Sequence, residues 1–203
     1  MGGAAAAYAV LVRRVREAWL GPDGGRLLEF TGTPEFLTAQ DRARWIAAGR
    51  PDLTEAPSEN KLQPSRPLDL PSDPDVLYTR LEQEASATDN PVTIQMFTLI
   101  GDSLRETAAT PAQRAALYQV AARLPGVELV GSVKDRAGRP GVAVALSDHA
   151  VRSTLIFDPV TSALLAEEQA VLAGNPYGYP ASTRTGYATY LVQKIVNSST
   201  ATS

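Results

Sequence analysis

The chain has 203 residues, 44% of them apolar, and its 19 basic and 22 acidic side chains give a formal charge of −3. That balance, with no dense basic stripe, speaks against nucleic-acid binding, which needs clustered Lys and Arg to neutralise phosphates. The absence of cysteine excludes disulfides, thiol catalysis and thiolate metal sites; the length suits one domain, or one domain with an attached arm.

Residues 1–12 form a small, apolar run, too short for a bilayer span of about 20 residues. Arg13, Arg14 and Arg16 follow that run instead of preceding it, the reverse of a secretory signal. The start therefore reads as mature protein, any natural anchor having been cut away. Over residues 10–30 two periods compete. Leu11, Val15, Ala18 and Trp19 fit an amphipathic helix, whereas the valines, Trp19 and the turn residues Gly21 to Gly25 fit a hairpin closed by Arg26 to Phe30. The hairpin is favoured. Thr38 to Ala48 reads as a helix stopped by Gly49, and Glu55 to Leu70, rich in Pro, Ser and charge, as an exposed linker.

Three helix starts follow. Ser72, Asp73 and Pro74 supply a capping residue followed by a first-turn proline, with Val76, Leu77 and Leu81 as the apolar side. Asn90 and Pro91 open a stripe of Val92, Met96, Leu99, Ile100 and Leu104, and Thr110, Pro111 and Gln113 a capping box before Leu117, Val120, Ala121 and Leu124. From Val127 the period changes to two, predicting an antiparallel meander. Val127, Leu129, Gly131 and Val133 share one parity and define a buried face; Val142, Val144 and Leu146 repeat it. Val151 to Phe157 and Leu164 to Leu172 complete four strands, and Tyr187 to Val196 is a further candidate after the Gly174 to Pro180 loop. The fold class is α+β: a curved antiparallel sheet, made of the N-terminal hairpin and a C-terminal meander of four to five strands, packed on two to four helices. Residues 1–54 hold the hairpin and short helix, 55–71 the linker, and 72–196 the helices and sheet, forming one domain with the hairpin; 197–203 read as a disordered tail.

The ordered motifs LPSDPDVLYTRL (Leu70 to Leu81), LPGVELVG (Leu124 to Gly131), DRAGRPGVAV (Asp135 to Val144) and LIFDPVTSALL (Leu155 to Leu165) resemble the extracytoplasmic domain of an uncharacterised family of actinobacterial membrane-anchored proteins. The REAW segment before the Gly21 to Gly25 turn is similar to that family's Trp-bearing hairpin. The resemblance implies an extracytoplasmic, membrane-anchored parent, often encoded beside extracytoplasmic-function sigma factors, and carries over no catalytic residue. This chain departs from the pattern in lacking the cytoplasmic segment and membrane helix and in having Ser162 where the family's turn commonly has glycine. By analogy of fold, a sheet wrapped over helices is similar to the half-barrel of periplasmic lipoprotein carriers, and such a sheet encloses an apolar space that is filled or open to a lipid.

The residues that bear on function are few. Trp19, Phe97 and Phe157 are the candidates for lining a cavity, although core packing is the favoured account of them. Tyr177 and Tyr179, in the Pro/Gly loop, are the candidate surface contact. His149 beside Asp148, and Asp135 and Asp158, read as turn residues, and Glu167 and Glu168, adjacent on a strand, point to opposite faces. No catalytic constellation, metal-ligand spacing or cofactor motif stands out. Three classes remain: a non-enzymatic extracytoplasmic ligand-binding or sensing domain, of a lipid or in sigma-factor signalling, which is favoured; a protein-interaction module with a filled core; and, least supported, an enzyme.

Overall fold

The computed structural model describes residues 8–21, 23–62, 70–106 and 109–194. It has α+β architecture, and its contacts group into two compact units divided between residues 66 and 67, inside the segment read as a linker. The hairpin and the meander belong to separate sheets, a division that alternation along a strand does not reveal, since it says nothing about which sheet that strand joins.

The first unit contains β1 (Val10–Leu11), β2 (Arg14–Trp19), β3 (Gly25–Thr31), β4 (Glu35–Phe36), α1 (Ala39–Ala47) and β5 (Ser58–Leu62). The N-terminal hairpin is β2 and β3, with Trp19 opposite Arg26. Gly25 is required there, since a Cβ would come within 2.1 Å of the Trp19 carbonyl oxygen. The expected linker contributes a strand: β5 pairs antiparallel with β3, from Gly25 opposite Leu62 to Glu29 opposite Ser58. Its sequence, SENKL, has no apolar alternation, and its ladder is formed by backbone groups that the side chains do not advertise. Helix α1 is capped by the Thr38 hydroxyl, which accepts from the Asp41 N–H. The fully buried Asp41 in turn accepts from the Thr38 hydroxyl at 2.6 Å and from the Ala9 N–H at 3.0 Å.

The second unit stacks α2 (Pro74–Ala85), α3 (Val92–Glu106) and α4 (Pro111–Ala121) on a five-stranded antiparallel meander, β6 (Val127–Lys134), β7 (Pro140–Asp148), β8 (Val151–Phe157), β9 (Leu164–Val171) and β10 (Arg184–Thr189). The caps are those the sequence predicts: Asp73 accepts from the N–H groups of Asp75 and Val76, and Thr110 with Gln113 forms a reciprocal capping box. Leu77, Leu81, Met96, Ile100, Leu117 and Val120 meet Val144, Leu146, Leu155 and Leu164 in one core. Val76, expected on the apolar side of α2, is instead exposed, one position away from the stripe that Leu77, Leu81 and Ala85 bury.

Two other expectations change. Val127, Leu129, Gly131 and Val133 do not share a buried face: Leu129 is 73% exposed, and the ladder skips Val130, passing from Leu129 opposite Val144 to Gly131 opposite Ala143. An extra residue reverses the alternation beyond it, so Val127 packs on the helix side and Val133 against Ala143, Ile156, Leu165 and Ala166 on the other. The last strand is Arg184–Thr189 and not Tyr187 to Val196, because Val171 and Thr183 join across the loop and bring Arg184 opposite Ala170; residues 195 and 196 lie outside the described residues. No helix of the described residues is long and apolar enough to cross a membrane.

Candidate interaction site

Between β9 and β10 the chain makes a loop built around one side chain. Asn175, 8% exposed, donates its amide to the Leu172 carbonyl at 2.8 Å and the Tyr179 carbonyl at 2.7 Å, and its oxygen accepts from the Tyr179 N–H at 3.3 Å. The Gly178 N–H donates to the Asn175 carbonyl at 3.3 Å. Gly174 and Gly178, at φ +73° and +72°, make the tight reversals on either side. At the base, Ser182 N–H donates to the Val171 carbonyl, and the Thr183 N–H and hydroxyl both donate to the Pro180 carbonyl. The loop therefore has its own internal scaffold. Its tip carries Tyr177, 64% exposed, while Tyr179 is half-buried at its inner side.

A second tip joins it. The Leu172 N–H donates to the Ala150 carbonyl at 2.7 Å, bringing the β7–β8 turn alongside. There His149 takes a left-handed φ of +47°, its exposed ring paired through Nδ1 with the Asp148 carboxylate. Tyrosine hydroxyl, imidazole and carboxylate thus project from two short, hydrogen-bonded connections at one end of the sheet.

The other candidate residues fall elsewhere. Trp19 belongs to the first unit, where the Arg26 guanidinium lies 4.4 Å from its ring centre. Phe97 is 5% exposed in the core of the second unit, and Phe157 stacks on Tyr118 at 4.1 Å. Asp135 and Asp158 act as turn acceptors: Asp135 takes the N–H groups of Ala137 and Arg139, each at 2.9 Å, and Asp158 those of Val160 and Thr161. Glu167 and Glu168 do face opposite ways. Glu168 pairs with Arg184, while both Glu167 carboxylate oxygens accept from the same Arg105 nitrogen, Nη1, at 3.0 and 2.9 Å, on the helix side.

That last pair belongs to a polar cluster at the α3–β9 contact that no local pattern announces. Arg105 also pairs with Asp102, and the Tyr190 phenol interacts electrostatically with both Arg105 and Glu167. Burial raises the Glu167 pKa above the usual glutamate range despite the opposing pull of Arg105, and burial together with the Glu167 charge pushes the Tyr190 phenol up to about 12. Burial likewise raises Tyr118, whose hydroxyl has no hydrogen-bond partner among the described residues. The arrangement is an interlayer tie: it fastens helix to sheet, and α3 accommodates the carboxylate through Gly101, where a Cβ would lie 3.3 Å from Glu167 Oε1. Among the described residues no three His, Cys, Asp or Glu side chains are grouped so as to hold a metal ion. Asn175 carried one readable signal, the Asn-Pro dipeptide of a turn; Arg105, Glu167 and Tyr190 carried none, being brought together only by tertiary packing.

Comparison with known proteins finds no matching family model, no matching curated protein and no matching solved structure.

Proposed function

We propose that the chain is a non-enzymatic protein-interaction module whose contact surface is the Tyr177 loop with the neighbouring His149 turn. The observation that carries the reading is Asn175: its three side-chain hydrogen bonds hold the loop in one shape while Tyr177 stays 64% exposed at the tip. An aromatic anchor on a preordered loop loses little entropy on binding, and tyrosine is among the residues that dominate interface energies. The filled core supports the same reading over a lipid cavity, since Phe97 and Phe157 pack against core side chains. Signalling beside a sigma factor, the context implied by the family resemblance, is compatible with such a module.

Site-specific photo-crosslinking tests it. A benzophenone side chain replaces Tyr177 in one variant and the 91%-exposed Val160 in another, in lysate of the source cells. The expected result is one discrete adduct at position 177, absent at 160, competed by unlabelled wild type and not by Tyr177→Ala. Equal labelling at both positions, or none at 177, would overturn the reading.

A further inference from the structure

Two sheet edges are finished differently. At the edge of the meander, β6 carries the bulge at Val130, and a bulge blunts an edge against further pairing. At the edge of the three-stranded sheet, β5 keeps a regular register with β3 from Ser58 to Leu62. Among the described residues only one side of β5 is laddered, so alternate N–H and C=O groups point outward from the other. Ser58, Glu59, Asn60 and Lys61 are all exposed. Within the sheet the charges of this strand are poorly matched. Lys61 stands directly opposite Arg26, a like charge, while Glu59 stands opposite Leu28 and reaches Arg26 only from the diagonal position, at 3.7 Å. Like charges opposite one another on a sheet face are destabilising.

We infer that β5 is a self-association edge, whose occupant is β5 of a second copy of this chain, running antiparallel about a twofold axis at Asn60. Side chains opposite one another in such a ladder lie on the same face. Glu59 then falls opposite the partner's Lys61, and Lys61 opposite the partner's Glu59, so that symmetry makes the unlike pair twice. Lys61 gains a carboxylate across the ladder, where β3 sets only Arg26. The Glu59 carboxylate has lone pairs enough to accept from the partner's Lys61 as well as from Arg26, and Asn60 meets the partner's Asn60, each amide able to donate and to accept. The register is selective. A ladder centred on Glu59 would set two glutamates opposite each other, and one centred on Lys61 two lysines. The product is a continuous sheet in the order β2-β3-β5-β5-β3-β2, formed independently of the Tyr177 surface.

Sedimentation equilibrium of the full chain at low salt, where exposed charges are least screened, tests the inference. A short polar edge gives a weak interface, so the wild type is expected to dimerise with a Kd of about 100 µM. Lys61→Glu and Glu59→Lys each set like charges opposite one another at both places, and each variant alone is expected to dimerise at least about tenfold more weakly. Mixed in equal amounts, they offer two glutamates on one strand to two lysines on the other, and the dimer is expected to return. The chain has no cysteine, so Asn60→Cys reports the register. Opposite residues have Cα atoms about 4.5–5.5 Å apart, within disulfide reach, and mild oxidation is expected to give a covalent dimer that Val160→Cys, at a 91%-exposed position, does not. A wild type that stays monomeric at about 1 mM, about ten times that Kd, overturns the inference. So does a dimer that either charge variant leaves unchanged, a mixture that stays monomeric, or crosslinking at position 60 no greater than at position 160.

Discussion

Two carboxylates of the second unit titrate in opposite senses, and the contrast is measurable. Asp135 is 5% exposed; burial pulls its pKa up, but the Arg139 and Ala137 N–H groups and the Arg139 guanidinium outweigh burial and hold it below the ordinary aspartate value. Its contribution to stability is present above the unfolded pKa and lost as pH falls through the lower folded one. Glu167 is raised, chiefly by burial, so its contribution is complete below the unfolded value near 4.5 and is lost as pH rises through the folded pKa. Relative to wild type, Asp135→Asn should therefore lose stability as pH rises from about 2 to 5, reaching a deficit of about 3 kcal/mol for a broken buried pair. Glu167→Gln should gain on wild type from about pH 4 to 7. Urea midpoints across this range decide the matter, and parallel curves for both variants would contradict the assignment. Gly141 makes a steric prediction at the same scale. A Cβ there would sit 2.8 Å from Ile156 Cγ2 and 3.0 Å from the Phe157 carbonyl oxygen, so Gly141→Ala should cost about 1–3 kcal/mol by overpacking.

At the level of elements, the readable features were those written locally. Caps at Asp73 and Thr110, and turns at Asp135 and Asp158, depend on side chains bonding backbone two or three residues away, and such bonds leave a fixed spacing in the sequence. The bulge at Val130 and the polar strand β5 depend on partners far along the chain, and left no such spacing. Among the candidate residues, the tyrosine loop was legible from its Pro and Gly content, whereas the Arg105–Glu167 tie spans 62 positions and was not. The bulge gives its own test. Because Leu129 already faces Val144 and Gly131 already faces Ala143, deleting Val130 should leave a continuous ladder, changing stability by no more than about 1 kcal/mol. A loss well beyond that would mean that Val130 supports the strand in some other way. Asn175→Ala, by contrast, removes three hydrogen bonds at about 1 kcal/mol each and should speed amide exchange across residues 172–180. It should also lower crosslinking at position 177 while leaving the helices protected; an unchanged loop would remove the basis for regarding Tyr177 as preordered.

Across the whole molecule, burial is divided unevenly. Every buried apolar side chain of the described residues lies at position 70 or beyond, while the sole buried residue among the described residues of the first unit is the carboxylate Asp41. The first unit's apolar groups are half-covered, and Val15, Leu20, Phe30 and Ile46 are exposed. Burial of apolar surface is the dominant force that offsets chain entropy, at about 25 cal/mol per Å², so the two units cannot draw on equal reserves. The exchange of backbone amides should then follow two free energies instead of one. Amides of β2, β3 and β5 are expected to lose protection at a lower urea concentration than those of α2, α4, β7 and β8, whose core includes Leu77, Leu117, Val120, Val144 and Leu155. Hydrogen-exchange mass spectrometry along a urea series makes the comparison within one sample. Coincident loss of protection in both sets would show that the first unit shares the stability of the second, and a two-state description would then hold for the chain as a whole.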